Sequence, residues 1–323
     1  MLLTLLAVFA RIFSNAYSNV VQKQLTSHGE PSLKVNCFSY IALSAVMIPC
    51  LPFLELEKLG AAFWAPMAAS GILAAVGNAC LIKAVNCGEL SVLGPLNSYK
   101  VIVSMIVAFF LIGEIPGLWG IIGILLILAG SFAVIQKKQG ESFSVKLFLR
   151  PDIQFRFYAI FCTATEAVFL KKTIAASNPF TSFAMWCILS AVFSTLLYFC
   201  NTVLVYLVSH RQEEAAEWEE YDGFPAYHSG YHDKMWETVR QAFALNRKSL
   251  LLLLVLASTT GIMQFTTNVV FRRMQVSYAL ALFQLSALLS VFFGGFLFHE
   301  KGLRRKLAGS LVMVAGAVLV ILL

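Results

Sequence analysis

AFFLIGEIPGLWGIIGILLILAGSFAVI, residues 108–135, aligns without a gap on GGFLFHEKGLRRKLAGSLVMVAGAVLVI, residues 294–321. Glu114 falls on Glu300, Gly123 on Gly309 and Gly130 on Gly316, and at the same offset Ser91 falls on Ser277 and Ser104 on Ser290. Self-similarity of this length means that the two halves of the chain carry one structural unit twice. Each half holds five apolar stretches of about 20 residues, the length that crosses a bilayer as a helix. An odd number of spans makes the second unit enter the membrane from the opposite face. The expected fold is therefore an all-α polytopic membrane protein with ten transmembrane helices as two inverted five-helix repeats, residues 1–136 and 153–323, joined by a polar connection at 137–152. Secondary transporters built this way bind substrate near the midplane between the halves and alternate access by rocking one against the other.

Composition agrees with a membrane setting. The 323 residues are 59% hydrophobic and only 13% charged, and the mean hydropathy of +0.78 is positive, so length here counts helices rather than soluble domains. The formal charge of +7 is spread over loops with no basic run interleaved with aromatics, which speaks against nucleic acid as a partner. The seven cysteines fall in or at the ends of apolar stretches and read as packing residues, not a disulfide framework. The first apolar run lacks a basic leader and a small-x-small cleavage site, so it reads as helix 1.

Polar residues inside the spans locate the chemistry. In ELSVLGPLNSYKVIVSMIVAFFLIGE, residues 89–114, Lys100 lies near the middle of a predicted span. A lysine at bilayer depth costs roughly 2.5–3.5 kcal/mol on insertion scales, so it persists where it meets water, a partner or a ligand. Asn97, Lys100 and Ser104 share one helical face and predict a polar cavity there. The competing reading is an internal ion pair between helices, or a lysine stem snorkelling to the interface. On helix 1, Arg11, Asn15, Ser18 and Gln22 recur every three or four residues beside Asn19, and a stripe of this kind faces a cavity or another helix, not lipid. Helix 6, residues 154–174, holds Glu166; helix 8, residues 250–271, aligns Thr260, Gln264, Thr267 and Asn268; helix 9, residues 275–298, carries Ser277 and Gln284. Helix 2, residues 33–54, reads as peripheral, helix 7 as residues 181–207, and helix 10, residues 303–323, as apolar. Small residues at Gly71, Ala75 and Gly77 of helix 3 and the glycines of helix 5 predict close helix packing. The remaining stretch, residues 208–248, reads as a long loop. Within it MWETVRQAFAL, residues 235–245, places Trp236, Val239 and Phe243 on one face of an amphipathic surface helix. His228 and His232 flank Gly230 and read as surface polarity rather than as a metal site.

Taken together, the repeat, LIGE at 111–114 and LFHE at 297–300, each followed by a glycine-bearing helix, resemble the drug/metabolite transporter superfamily, specifically its EamA-like ten-helix members. The resemblance covers nearly the whole chain apart from residues 208–248. It implies that helices 1, 3, 4, 6, 8 and 9 line a substrate cavity and that both termini are cytoplasmic. The positive-inside rule implies the reverse, since the face opposite the termini holds 17 Lys and Arg against 5 on the termini's face. Glu114 and Glu300 read as repeat-matched structural residues, each placed just before a helix whose free amides it can satisfy.

The expected function is a secondary active transporter for a small polar metabolite, anionic or zwitterionic, in a plasma or inner membrane. Lys100 and Arg11 would attract it, and Asn15, Asn19, Asn97, Gln264, Asn268 and Gln284 would orient it. Glu166 would serve as counter-charge to Lys100 or carry a coupling proton. Expected partners are the substrate, the lipid bilayer, a coupling proton and a second copy of the chain as a homodimer; no cofactor or metal is called for. Export of drugs or cations on the same fold is the nearest alternative, and a channel or receptor a further one. An intramembrane enzyme is disfavoured because Asp152, Asp222 and Asp233 and all five histidines fall outside the predicted spans.

Overall fold

Where water cannot satisfy backbone amides and carbonyls, a chain must satisfy them within itself, and every regular element among the described residues is helical. The computed structural model describes residues 2–103, 106, 118–134, 148–220, 231–245, 247–273 and 276–322. In chain order these form α1 (Leu2–Ser27), α2 (Ser32–Met47), α3 (Ala61–Cys87), α4 (Leu90–Leu93), α5 (Leu118–Val134) and α6 (Pro151–Ala176), then α7 (Pro179–Glu220), α8 (Tyr231–Ala242), α9 (Arg247–Arg273), α10 (Val276–Phe283), α11 (Ser286–Phe298) and α12 (Leu303–Leu322). Among the described residues, five segments are long and apolar enough to cross a membrane: Ser32–Phe53, Ala61–Cys87, Pro151–Ala176, Pro179–Ser209 and Arg247–Arg273; Leu118–Ser131 and Ser286–Phe298 are shorter apolar helices.

Several elements depart from the expected ones for identifiable reasons. The predicted span at 89–114 is not one helix from its start. α4 stops after one turn at Gly94, a 3-10 turn follows at Pro95–Ser98, and α-helix resumes over residues 99–103. Pro95 supplies no amide to an α-helical ladder, and Ser290 sits so close to Gly94 that a Cβ there would overlap it. The predicted helix 9 is likewise interrupted, by a turn at Gln284 and Leu285. The end of predicted helix 2 tightens into a 3-10 helix, Ile48–Phe53, around Pro49 and Pro52. α7 continues past the expected end at residue 207 to Glu220, so the first part of the 208–248 stretch is helical, not loop. EEAAEWEE, residues 213–220, is rich in strong helix formers, and that propensity carries the helix on. The predicted amphipathic helix is present as α8. Its Val239 is buried, Phe243 just past its end packs at a tilt against Phe38 and Tyr198, and the Tyr198 hydroxyl donates to Ala242 O at 2.9 Å, while Trp236 stays exposed.

α3 lies along α6, α5 along α12, α1 along α9 and α2 against α7. Glycines set the closest of these approaches. A Cβ on Gly77 would lie 2.9 Å from Cys162 Cβ, one on Gly130 would lie 2.6 Å from Gly309 O, and one on Gly316 would lie 2.6 Å from Gly123 O. Backbones in contact at this range gain dispersion and leave no room for side chains, which is how small residues bind helices in lipid. All seven cysteines are free thiols.

Candidate functional site

Polar faces of α1, α3, α6, α9 and the broken 90–103 segment converge on a cavity of about 100 Å³, room for several waters. α1 contributes Arg11, Asn15, Ser18, Asn19 and Gln22, the stripe expected from its periodicity. Asn97 reaches it from the Pro95–Ser98 turn and Lys100 from the helix after it, Arg156, Thr163 and Glu166 from α6, and Thr260 and Gln264 from α9; Asn78, Tyr40 and Trp186 complete the polar wall. Glu166 lines the same cavity as Lys100, Arg11 and Arg156, and no carboxylate lies within 4 Å of any of these three cations among the described residues. Glu166 Oε1 instead accepts from Trp186 Nε1 at 2.8 Å.

Hydrogen bonds tie the wall together. Arg11 Nε donates to Thr267 Oγ1 at 2.8 Å, its guanidinium lies 4.7 Å from the Phe283 ring centre, and its Nη1 is buried without a partner. Asn15 Nδ2 donates to Ser286 Oγ at 3.1 Å and so links α1 to the start of α11. A relay of amides runs outward from α1. Gln22 Nε2 donates to Asn78 Oδ1 (3.3 Å), Asn78 Nδ2 to Asn36 Oδ1 (2.8 Å) and Asn36 Nδ2 to the Ala75 carbonyl (3.0 Å). Asn36 thus makes α2 a supporting wall rather than a peripheral helix.

The cavity brings together Lys100, Asn97, Arg11, Asn15, Asn19, Gln264 and Glu166 from the residues expected there. Two others stand apart. Asn268 is fully buried, donates to Pro179 O at 3.1 Å and accepts from Gln264 Nε2 at 3.4 Å, a bond network joining α9 to α7. Gln284 sits in the break between α10 and α11 with both amide atoms buried and unpartnered, outside the cavity wall. Glu114 and Ser104 lie outside the described residues, as does His228.

Glu300 does satisfy free amides, but not those of the helix that follows it. His299 closes α11 in the left-handed region (φ 52°), and the Glu300 amide bonds back to Gly294 O at 3.2 Å, a Schellman-type end. This turn sends the carboxylate across to α4, in the other half of the chain. There Oε1 accepts from Leu90 N (2.8 Å) and from Lys23 Nζ (2.7 Å), while Oε2 accepts from Ser91 N (2.9 Å) and the Ser91 hydroxyl. Lys306, fully buried, donates to Ser91 Oγ (2.8 Å) and pairs with Glu89. Lys23 also donates to Gly88 O (3.2 Å) and lies 4.7 Å from the Phe298 ring centre. Burial opposes ionisation of Glu300, but the bonds from Lys23 and Ser91 outweigh it and hold the carboxyl below its ordinary pKa.

Residues 2–136 match the EamA-like transporter family. The match and the apolar helices support a multi-pass membrane transporter, in keeping with the superfamily resemblance read from the sequence. A solved structure described as "Crystal structure of protein" aligns with 99% of this chain and 96% of its own at a TM-score of 0.61 and 15% identity, a likeness of fold alone. No curated protein matches the chain.

Several residues of the cavity wall and of the cluster around Glu300 escaped the reading of the sequence. Arg156 follows the polar RPD of the inter-repeat connection and passes for a span-end residue, yet Arg156, Thr163 and Glu166 lie at i, i+7 and i+10, one face of α6. That spacing was the available signal. Trp186 and Tyr40 carry no such signal, because an aromatic in an apolar span reads as packing until its hydrogen bond is seen. Lys306 sits beside Arg304 and Arg305 and looks like part of a solvated basic run.

Proposed function

We propose that this chain is a secondary active transporter that moves a small polar metabolite, anionic or zwitterionic, by alternating access between two inverted five-helix repeats. The carrying observation is the polar cavity itself, with Lys100, Arg11, Arg156 and Glu166 walled in by helices from both halves of the chain. Charges at such depth are retained for a ligand or an ion path. The helix pairing supports the repeat. Exchanging the first five spans for the last five turns the α3–α6 pair into α9–α1 and leaves α5–α12 and α2–α7 as themselves. The glycine contacts behave the same way, since at the alignment offset the Gly130–Gly309 contact becomes Gly316–Gly123. Both halves also interrupt a helix beside the cavity, at Gly94–Pro95 and at Gln284–Leu285, and discontinuous helices are where transporters of this architecture seat substrate.

In this reading Lys100 attracts the substrate, Arg11, Asn15, Asn19, Asn97 and Gln264 orient it, and Glu166 balances the cations or carries a coupling proton. Asn268 contributes through the helices it braces. The test is counterflow in proteoliposomes across a panel of labelled amino acids, organic acids, sugar phosphates and organic cations, with Lys100→Ala beside the native protein. An anionic or zwitterionic solute should exchange, and Lys100→Ala should slow it at least tenfold. Exchange of an organic cation indifferent to Lys100 would instead place the protein among exporters of cationic compounds.

A further inference from the structure

Resting on the reading of the cavity as a substrate site, we infer that its ligand is a small hydroxylated anion, a hydroxy acid or a hydroxylated phosphate ester, and not a zwitterion. Two independent features of the wall lead there. The first is charge. Among the described residues lining the cavity, Arg11, Lys100 and Arg156 stand with one carboxylate, Glu166, a formal excess of two positive charges. A zwitterion adds no net charge and leaves that excess in place; an anion reduces it. Arg11 is bonded to Thr267 through Nε, whereas neither Lys100 nor Arg156 has a hydrogen bond or ion pair among the described residues, and of these two Arg156 is the guanidinium. Its side chain is buried, its Nε meets no hydrogen-bond partner, and no carboxylate lies within 4 Å of it among the described residues. A buried guanidinium with an open N–H is the group best suited to a carboxylate or phosphate.

The second feature is the polarity of the amide relay. The Ala75 carbonyl can only accept, so Asn36 must present its NH2 to it and its oxygen to Asn78. Asn78 must then present its oxygen to Gln22, which commits the Gln22 NH2 and leaves Gln22 Oε1 as the free acceptor of a residue that lines the cavity. That oxygen is buried and has no donor. A ligand that leaves it unpaired forfeits a hydrogen bond in a desolvated site, whereas a hydroxyl satisfies it. The anionic group thus belongs at Arg156 and the hydroxyl at Gln22.

Binding is read as the shift in melting temperature of the detergent-purified protein titrated with lactate, propionate, glycerol 3-phosphate, serine and choline. Lactate and glycerol 3-phosphate should bind; propionate, which lacks only the hydroxyl of lactate, should bind about tenfold more weakly. Gln22→Met should bring the lactate-to-propionate ratio close to one. Arg156→Gln should weaken both anions at least tenfold, and Arg156→Lys should recover part of that loss. Serine or choline binding as tightly as the hydroxylated anions, Arg156→Gln binding them unchanged, or no shift with any of the five probes overturns the inference. If Arg156→Gln fails to fold, the lactate-to-propionate ratio in the native protein and in Gln22→Met decides alone. Counterflow with the same probes separates this from the transport reading. Anions that bind through Arg156 but do not exchange refute transport, and exchange of serine in preference refutes only the ligand class.

Discussion

Replacing Glu300 by glutamine tests how the two halves are held at the face opposite the termini. The carboxylate accepts four hydrogen bonds, from Lys23, Leu90 N, Ser91 N and the Ser91 hydroxyl. A glutamine amide keeps one acceptor oxygen and, whichever way it is turned, sets its NH2 against a backbone amide that cannot accept it. At least one backbone amide of α4 then loses its partner, at about 1–3 kcal/mol, and the charge-assisted bond from Lys23, worth about 1.5–3 kcal/mol, becomes a neutral one or disappears. Lys23 is not stranded, because it keeps Gly88 O and the Phe298 ring and is 15% exposed. The expected loss is therefore about 2–4 kcal/mol, below the sum of the two contributions. Unfolding of the native and Glu300→Gln proteins by SDS titration in mixed micelles measures it, and a Lys23→Met, Glu300→Gln double-mutant cycle isolates the pair. The same site predicts a pH dependence. The folded-state pKa of Glu300 is lowered relative to the unfolded chain. Its stabilisation is therefore complete above the ordinary glutamate value of about 4.3 and is lost as pH falls through the folded-state value. Glu300→Gln should remove that acid-side loss. A Glu300→Gln protein within about 0.5 kcal/mol of native, with the same acid limb, would refute the claim that this carboxylate ties the halves together, since a surface substitution does no more.

Gly130→Ala should cost about 1–3 kcal/mol in the same titration, because its new methyl would meet Gly309 O and Met313 Cγ, each 2.6 Å away, and α5 would have to part from α12; an unchanged midpoint would mean that the interface yields freely. Glu166→Gln should flatten the pH dependence of counterflow if the carboxylate carries the coupling proton. Flux and pH profile both unchanged would assign Glu166 to charge balance and to its bond with Trp186 alone.

The polar stripe of α1 was legible because helical periodicity is local: Arg11, Asn15, Ser18 and Gln22 share a face in any α-helix, and that face does line the cavity. Lys100 was legible for a thermodynamic reason, the cost of a charge in hydrocarbon. Asn268 and Gln264 show what periodicity does not encode. Both sit on one face of α9, but only Gln264 reaches the cavity, because whether a polar side chain ends in a cavity or on a neighbouring carbonyl depends on the helix opposite.

The order of amino acids was enough to establish apolar helices of membrane length, a repeat, and where its helices carry polar groups, because each follows from composition and periodicity along one chain. Partners brought together by packing were decided only in three dimensions. The Glu300 carboxylate crosses to amides 209 and 210 residues away, where the sequence places a helix of its own directly after it. Gln22 Oε1 is left as an acceptor only because an Ala75 carbonyl three bonds along the relay can do nothing but accept. Such pairings join residues through space, and no local propensity encodes them.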